Sequence, residues 1–167
     1  MRIQPVPRCF AVAVLLATAA GCPTFSDDVQ RDELAEPEAA ALEPGPDDPD
    51  APEEFTTTDS GLKYRILRKG SGEQPQEGDT VRVHYRGWLD DGTEFDSSYQ
   101  RGEPAEFPLN KGGLIDGWVE GIPHVAEGGK IELEIPPHLG YGAGGRDSIP
   151  PDATLHFIVE LQSVVQR

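Results

Sequence analysis

Apolar and polar residues alternate strictly along several short segments of the chain. In the segment 81–86 the odd-numbered residues are Val, Val and Tyr, and the even-numbered ones are Arg, His and Arg. A period of two places alternate side chains on opposite faces, so it predicts a half-buried β-strand over 81–88. Asp91-Gly92 is a strong reversal signal, and it predicts a hairpin return into a strand at 93–97.

Further extended segments are predicted at 62–66, 107–109, 131–135 and 155–161. Apolar residues recur every four positions from Leu114 to Ile122, which predicts one short amphipathic helix that ends at Pro123. Strands with one apolar face suit an antiparallel sheet that is packed on one side only. Because one helix covers little area, we expect an α+β fold in which five to six antiparallel strands curl half-way around that helix.

The first 21 residues have the features of a secretory signal peptide. Arg2 and Arg8 give a positive start, and a largely apolar run of 12 residues follows from Cys9 to Ala20. Such a run is too short to cross a bilayer as a mature helix.

Ala19-Ala20-Gly21-Cys22 resembles the bacterial lipobox, in which the cysteine is diacylated and becomes the new N-terminus. The departure is Ala19, where lipoboxes usually carry leucine. We interpret Cys22 as the lipid attachment site of an exported cell-envelope lipoprotein, on the periplasmic side or the cell surface. The alternative is ordinary cleavage after Ala19, which leaves Cys22 as a free thiol.

Residues 22–54 are predicted to form a disordered tether that starts at the lipidated cysteine. The segment contains 12 acidic residues, six prolines and one basic residue, Arg31. It cannot bury enough apolar surface to offset the entropy of ordering, and its charges and prolines keep it extended. A short partner-binding helix over 29–42 is an alternative, which Pro37 disfavours.

The charge and the cysteine content of the remaining domain, 55–167, exclude several classes of ligand. The formal charge of −16 divides into +2 for the leader, −11 for the tether and −7 for this domain. An acidic domain has no basic stripe for nucleic acid, so no nucleic-acid partner is expected. It should also be repelled by anionic membrane surfaces, so contact with the membrane is expected only through the lipid. The domain contains no cysteine, and its four histidines show no ligand spacing, so neither a metal nor another cofactor is expected.

Asp96 is the residue in the strand pattern that calls for a chemical explanation. It follows Phe95 in a segment whose neighbours are predicted to be buried, and a buried carboxylate is costly unless it is paired. One explanation is a strand-end carboxylate that is hydrogen-bonded to the Tyr85 hydroxyl. The other is a functional acid beside an apolar hollow.

Five motifs occur in order along the domain: VHYRG at 83–87, FDSS at 95–98, LIDGW at 114–118, YGA at 141–143 and IPP at 149–151. Together they resemble the FKBP-type peptidyl-prolyl cis–trans isomerases, and the resemblance extends from about Ser60 to Gln162. The segments 60–64 and 104–108 are similar to the exported bacterial branch related to macrophage infectivity potentiators.

The resemblance implies an FKBP-like fold and acceleration of rotation about Xaa-Pro bonds in exported proteins. The implied catalytic residues are Tyr85, Asp96 and Tyr141. The implied substrate-binding residues are Phe95, Phe107, Leu114, Ile115, Trp118, Ile149 and Phe157. Trp118 would form the floor under the proline ring, while the Ile115 N–H and the Tyr141 hydroxyl would hold the substrate carbonyls.

The implied partners are proline-containing unfolded or exported polypeptides, with macrolide inhibitors as candidate ligands. Two departures from the family bear on preference: Ala105 replaces an aromatic wall residue of many eukaryotic members, and the loop 144–149 is one residue shorter. The alternative function is a non-catalytic module that binds proline peptides, or acts as a chaperone, at the cell envelope. Tyr141 could also simply close a glycine-rich turn, and Trp118 could be a core residue.

The lipobox interpretation predicts the mass of the mature N-terminus. Intact-protein and N-terminal peptide mass spectrometry should find a chain that starts at Cys22 and carries a diacylglyceryl group. A mature chain that starts at Ala20 with an unmodified Cys22 would overturn the lipid assignment.

Overall fold

The computed structural model describes residues 43–165, and the predicted signal peptide, Cys22 and most of the predicted tether lie outside that range. Seven strands are present in this range: β1 Thr56–Thr57, β2 Lys63–Arg68, β3 Thr80–Leu89, β4 Glu94–Ser97, β5 Ala105–Pro108, β6 Lys130–Ile135 and β7 Leu155–Val165. The same range contains two α-helices, α1 Ser98–Arg101 and α2 Asp116–Gly121, and three 3-10 turns at Ile122–His124, Pro137–Leu139 and Gly142–Gly144.

All strand pairings are antiparallel, and the sheet order is β1-β2-β6-β7-β3-β4, with β5 also paired to β3. The β4 and β5 strands share one edge of β3, where β4 pairs with its C-terminal half and β5 with its N-terminal half. Register shifts in β3, at Arg82/Val83 and Gly87/Trp88, are the bulges that increase local twist and help the sheet to curl. The predicted α+β class with one curled antiparallel sheet is confirmed, and the number of strands is seven rather than five or six.

Two helical details differ from the prediction. The α1 helix is a single turn directly after β4, where only the end of a strand was expected, because four residues show no helical period. The α2 helix is shorter than its apolar pattern, and the chain continues as the 3-10 turn Ile122–His124. Pro123 fits this turn because a proline, which lacks an N–H, is tolerated in the first positions of a helix. Among residues 43–165 no helix is long and apolar enough to cross a bilayer.

The hydrophobic core lies between the inner face of the sheet and α2, and two glycines set how closely they pack. A Cβ added to Gly117 would lie 2.5 Å from Ile135 Cγ2, and one added to Gly121 would lie 2.7 Å from Leu133 Cδ2. Both distances are shorter than any normal carbon contact, so only glycine allows this approach. The β6 residues that the helix contacts, Leu133 and Ile135, are fully buried.

The last part of the predicted tether is not a free linker. We call residues 43–50 the arm. The Asp48 N–H donates to the Leu67 carbonyl at 2.8 Å, and the Lys69 N–H donates to Asp48 Oδ2 at 2.8 Å. Arg68 Nη1 donates to the Pro46 carbonyl at 3.1 Å. These bonds join the arm to the end of β2, so the ordered domain begins before the predicted boundary at residue 55.

The arm also covers two buried charges. Lys130 and Glu160 are opposite each other in the β6–β7 register, and only 3% and 5% of their surfaces are exposed. Lys130 forms an ion pair with Asp47 and donates to the Gly45 carbonyl. Glu160 accepts from the Gly45 N–H at 3.0 Å, and Arg68 and Tyr99 satisfy the rest of this carboxylate: Arg68 Nη2 donates at 3.0 Å and the Tyr99 hydroxyl at 2.7 Å. The arm therefore supplies partners that these charges need once they are buried.

Removing the arm should lower the stability of the domain. A chain that starts at Ala51 loses the Gly45, Asp47 and Asp48 contacts, and we expect it to be less stable by about 1–3 kcal/mol than a chain that starts at Glu43. The measurement is urea unfolding of the two chains, followed by tryptophan fluorescence. Equal midpoints and slopes would contradict a structural role for the arm.

Candidate functional site

One cavity of about 780 Å³ opens between the inner face of the sheet, α2 and the loop that precedes β7. All ten residues that the resemblance implies line this cavity: Tyr85, Phe95, Asp96, Phe107, Leu114, Ile115, Trp118, Tyr141, Ile149 and Phe157. They come from β3, β4, β5, α2 and β7 and from the loops before α2 and before β7. The fold thus gathers residues that are spread over 73 positions of sequence into one site.

Aromatic rings in edge-to-face contact form the deep part of the cavity. The Trp118 ring is perpendicular to three neighbours, with centroid distances of 5.2 Å to Tyr85, 5.3 Å to Phe107 and 5.2 Å to Phe157. Trp118 is 3% exposed and belongs to the core, yet it also lines the cavity. Trp118 is therefore a core residue, and its position on the cavity is compatible with the predicted floor. Perpendicular packing of this kind holds each ring in a defined orientation.

Gly87 in β3 makes room for part of the aromatic wall. A Cβ at this position would lie 2.7 Å from both Phe95 Cζ and Phe157 Cε1. The two rings are themselves perpendicular, with centroids 5.5 Å apart. A side chain at position 87 would push these rings apart, so the shape of the cavity depends on this glycine.

Asp96 is held in a polar cluster at the edge of the aromatic wall. The Tyr85 hydroxyl donates to Asp96 Oδ2 at 2.5 Å, and Arg101 Nη1 donates to Asp96 Oδ1 at 2.6 Å. Arg101 Nη2 also donates to the Tyr85 hydroxyl at 2.8 Å, and its guanidinium lies over the Tyr85 ring. The Asp96 side chain is 43% exposed, so it is half-buried rather than buried as its neighbours suggested. Its hydrogen bond to Tyr85 is present and the same carboxylate lines the cavity, so the two explanations of Asp96 are compatible.

Burial and hydrogen bonding in this cluster lower the pKa of Asp96 and raise the pKa values of Tyr85 and Arg101. Burial acts to raise the pKa of Asp96, but the hydrogen bonds from Tyr85 and Arg101 outweigh it, so the Asp96 pKa is lowered. Burial, together with the hydrogen bond to Asp96, raises the pKa of the Tyr85 hydroxyl to about 12. The hydrogen bond to Asp96 also raises the pKa of Arg101. The cluster is therefore a carboxylate, a neutral phenol and a guanidinium across the physiological pH range.

Arg101 was not anticipated from the sequence. Its side chain reaches Asp96 because α1 makes one helical turn directly after β4 and brings residue 101 back over residue 96. Gly102 ends the turn with φ 75°, the left-handed conformation that glycine adopts readily. The available signal was a basic residue five positions after the aspartate. That spacing predicts an ion pair only if a helical turn such as α1 lies between the two residues.

Three hydrogen-bond donors in residues that line the cavity have no protein partner within residues 43–165. One of them, Trp118 Nε1, is itself buried, so it is closed to a ligand. The Ile115 N–H precedes α2 and has no acceptor in this range, and neither has the Tyr141 hydroxyl. Since buried polar groups are nearly always paired, donors left open on a cavity wall are suited to binding acceptor groups of a ligand.

The loop before β7 forms the upper wall and contributes residues with no assigned role in the sequence analysis. Arg146 and Ile149 exchange two backbone hydrogen bonds, of 3.0 and 2.7 Å, and close a tight turn with Asp147 at φ 48°. The Arg146 guanidinium lies 5.5 Å from the centre of the Tyr141 ring, which is the geometry of a cation–π contact. Other lining residues outside the predicted set are Gly112, Gly113, Asp116, Gly140 and Ser148.

Comparison with known proteins identifies the family of the domain that contains this cavity. The family model of the FKBP-type peptidyl-prolyl cis-trans isomerases matches residues 71–162, more than half of the chain. The chain therefore belongs to the FKBP-type peptidyl-prolyl cis-trans isomerase family.

Several curated relatives share this domain. The FKBP-type peptidyl-prolyl cis-trans isomerase FkpA of Escherichia coli (strain K12) is 52% identical over 108 residues, which are 65% of this chain and 39% of the relative. The FKBP-type 22 kDa peptidyl-prolyl cis-trans isomerase of the same organism is 51% identical over 114 residues, 68% of this chain and 54% of the relative. The chain thus spans about half or less of the length of these two relatives.

Solved structures agree with the fold. The crystal structure of FkpA from Escherichia coli matches with a TM-score of 0.66 and 49% identity, over 69% of this chain and 53% of that one. The crystal structure of AtFKBP13 matches with a TM-score of 0.61 and 38% identity, over 66% of this chain and 98% of that one. The shared part is the domain that contains the cavity.

The lowered pKa of Asp96 predicts how the polar cluster contributes to stability as pH changes. A carboxyl with a lowered folded-state pKa stabilises the fold above its unfolded pKa, about 3.9, and this contribution is lost as pH falls through the folded value. The melting temperature of the native chain should therefore exceed that of Asp96→Asn by a constant amount from pH 5 to pH 8. The difference should narrow as pH falls toward 3, in thermal melts followed by circular dichroism. A difference that changes near pH 6.5 would instead point to a histidine.

Proposed function

We propose that this chain is a peptidyl-prolyl cis–trans isomerase that acts on Xaa-Pro bonds of exported polypeptides. The observation that carries the proposal is a cavity in which a perpendicular aromatic cup, two open hydrogen-bond donors and a paired carboxylate occur together. Membership of the isomerase family supports the same conclusion.

The reaction needs no nucleophile and no proton transfer. The barrier to rotation about an amide is ~18–20 kcal/mol because resonance keeps the bond planar, and unaided exchange at Xaa-Pro takes tens to hundreds of seconds. A catalyst must favour the twisted amide over both planar forms. A millionfold acceleration would require about 8 kcal/mol of such differential stabilisation.

An apolar cup can supply part of this difference. The twisted amide loses its charge-separated resonance form and is less polar than the planar amide, so a cavity that excludes water favours it. The proline ring would lie on Trp118, with Tyr85, Phe107 and Phe157 around it, where the edge-to-face contacts of these rings hold the floor in place. A rigid floor limits the orientations of the ring before rotation begins.

The open donors would hold the peptide on both sides of the rotating bond. The Ile115 N–H and the Tyr141 hydroxyl can each donate a hydrogen bond to a substrate carbonyl, and neither has an acceptor within residues 43–165. The Arg146 guanidinium over the Tyr141 ring would steady the phenol. If one carbonyl is held while the other turns, binding energy is directed to the twisted form.

Asp96 would act as an electrostatic and positioning residue rather than as a base. Its lowered pKa keeps it ionised, and Arg101 balances its charge. The pair presents a fixed dipole at the rim of an apolar cavity, where water screens it less than at an open surface. The Tyr85 hydroxyl joins this dipole to the aromatic wall.

The finer features of the proposal concern location and ligands. We infer that the chain is a lipoprotein of the exported branch related to macrophage infectivity potentiators, anchored to the cell envelope at Cys22. Its partners would be unfolded or exported polypeptides that contain proline, and macrolides are candidate inhibitors of the same cavity. The sequence features of the leader and the segments 60–64 and 104–108 support this inference.

The alternative is a module that binds proline peptides without catalysis. It would use the same cavity and would protect such peptides without changing their rate of exchange. A protease-coupled assay with a proline tetrapeptide separates the two functions, because only an isomerase shortens the slow phase in proportion to its concentration.

Three substitutions test the site in this assay. Asp96→Leu should lower kcat/KM at least about tenfold because it removes the charged partner of Tyr85 and Arg101. Tyr141→Phe should lower it about fivefold by removing one hydrogen bond, and Phe95→Ala about tenfold by opening the aromatic wall. Thermal melts of each variant would show whether the fold is retained.

Matched controls come from outside the cavity. Tyr64 is a half-buried tyrosine that stacks on His124, and Phe55 lies under Arg65. Tyr64→Phe and Phe55→Ala should leave kcat/KM within about twofold of the native value. If the three cavity variants also retain native rates, the site assignment is wrong.

A further inference from the structure

Asp116 is the first residue of α2 and lies on the cavity wall, between the open Ile115 N–H and the packed glycine at 117. Its side chain is exposed. Its backbone is well fixed, because Ile115 has an extended conformation before the helix and position 117 fits closely against Ile135. Along the chain, Asp116 therefore follows the predicted carbonyl-binding group, the Ile115 N–H, by one residue, and it precedes the predicted floor residue, Trp118, by two.

The other charged groups on the cavity wall have partners of opposite charge. Asp96 is paired with Arg101, and Arg146 lies 3.7 Å from Asp147 as well as over the Tyr141 ring. Within residues 43–165, Asp116 makes no ion pair and no side-chain hydrogen bond. Lys111, the nearest basic residue along the chain, makes no ion pair in that range either. The wall therefore carries one uncompensated charge, which is negative.

We infer that Asp116 is a specificity-determining residue that favours peptides with a lysine or arginine next to the proline and disfavours those with an acidic residue there. This inference rests on the proposed isomerase function. A bound peptide must pass the rim of the cavity on both sides of its proline ring, so a residue next to the proline can come close to Asp116. A complementary charge would supply the partner that the carboxylate lacks, while an acidic residue would be repelled.

The size of the effect follows from the exposure of the carboxylate. Ion pairs in contact with water are weak and are screened by salt, so strict selection is not expected. Relative to glutamine, we expect lysine to be favoured by about two- to fivefold and glutamate to be disfavoured by a similar factor. An acidic residue in the first turn of a helix also stabilises the helix, and that explanation of Asp116 involves no ligand. The two explanations differ because a helix-stabilising role does not depend on the charge of the peptide.

The test uses peptides of the form Ala-Xaa-Pro-Ala and Ala-Pro-Xaa-Ala with Xaa lysine, glutamine or glutamate. Exchange NMR at about 20 mM salt gives the enzyme-catalysed rates, and it avoids a coupling protease with charge preferences of its own. For the native chain the lysine-to-glutamate ratio of kcat/KM should be about four or more in at least one series, and it should approach one at about 1 M salt. The ratio should fall to about two or less in Asp116→Asn and invert in Asp116→Lys.

Glu103→Gln is the matched control, because Glu103 is an exposed carboxylate that does not line the cavity and the change in net charge is the same. It should keep the native ratio, which separates the local effect of Asp116 from the attraction of an acidic domain for basic peptides. Each ratio is formed within one variant, so a general change in activity cancels. A native ratio near one, or a ratio that Asp116→Asn leaves unchanged, would overturn the inference. Failure to catalyse exchange of any glutamine peptide would instead overturn the proposed function.

Discussion

The close packing of α2 against β6 is the constraint on which the site depends. Gly117 and Gly121 let the helix backbone approach Ile135 and Leu133 at distances that no side chain would permit. Trp118 lies between these two glycines, so the same approach sets the depth at which the indole meets the rings of the sheet. If the helix stood farther from the sheet by the width of a methyl group, the perpendicular contacts of Trp118 would be lost. The packing of α2 against β6 therefore determines the shape of the cavity.

The cavity combines two environments that folding alone would not require. Its deep part is apolar and rigid, which suits the less polar state of a rotating amide. Its rim has a carboxylate–guanidinium pair, and within residues 43–165 the Ile115 N–H and the Tyr141 hydroxyl on the wall have no acceptor. Unpaired donors reduce stability, and native proteins keep few of them away from binding sites. Their position beside the aromatic floor links the stability of this domain to its proposed activity.

The periodicity of the sequence predicted most of the sheet, and the misses have physical reasons. Strict alternation identified the long strands, because a half-buried strand repeats every two residues. The α1 helix and β1 strand, with four and two residues, are too short for any period to appear. The arm was missed because its composition is that of a solvated chain. It is held by backbone hydrogen bonds and ion pairs to residues as far as 115 positions away.

The residues of the site were predicted from the family motifs and not from periodicity. Alternation places Tyr85 and Phe157 on inner faces of separate strands, but it does not say that these strands are neighbours in the sheet. The Arg101 contact was out of reach for a related reason, since it depends on a one-turn helix that the pattern does not reveal. Lys130 and Glu160 are buried although they are charged and lie in strands with alternating patterns, because the arm supplies partners for both side chains.

The position of β7 has a consequence for the order in which this domain can form. This last strand, Leu155–Val165, lies between β6 and β3 and is the link between the two halves of the sheet. Before it emerges from the ribosome, β2 can pair only with β6, and β3 only with β4 and β5, so the sheet consists of two separate ribbons. Closing the sheet then requires contacts between residues far apart in sequence, which is a slow type of folding step. A nascent chain that lacks β7 would thus keep the two ribbons apart.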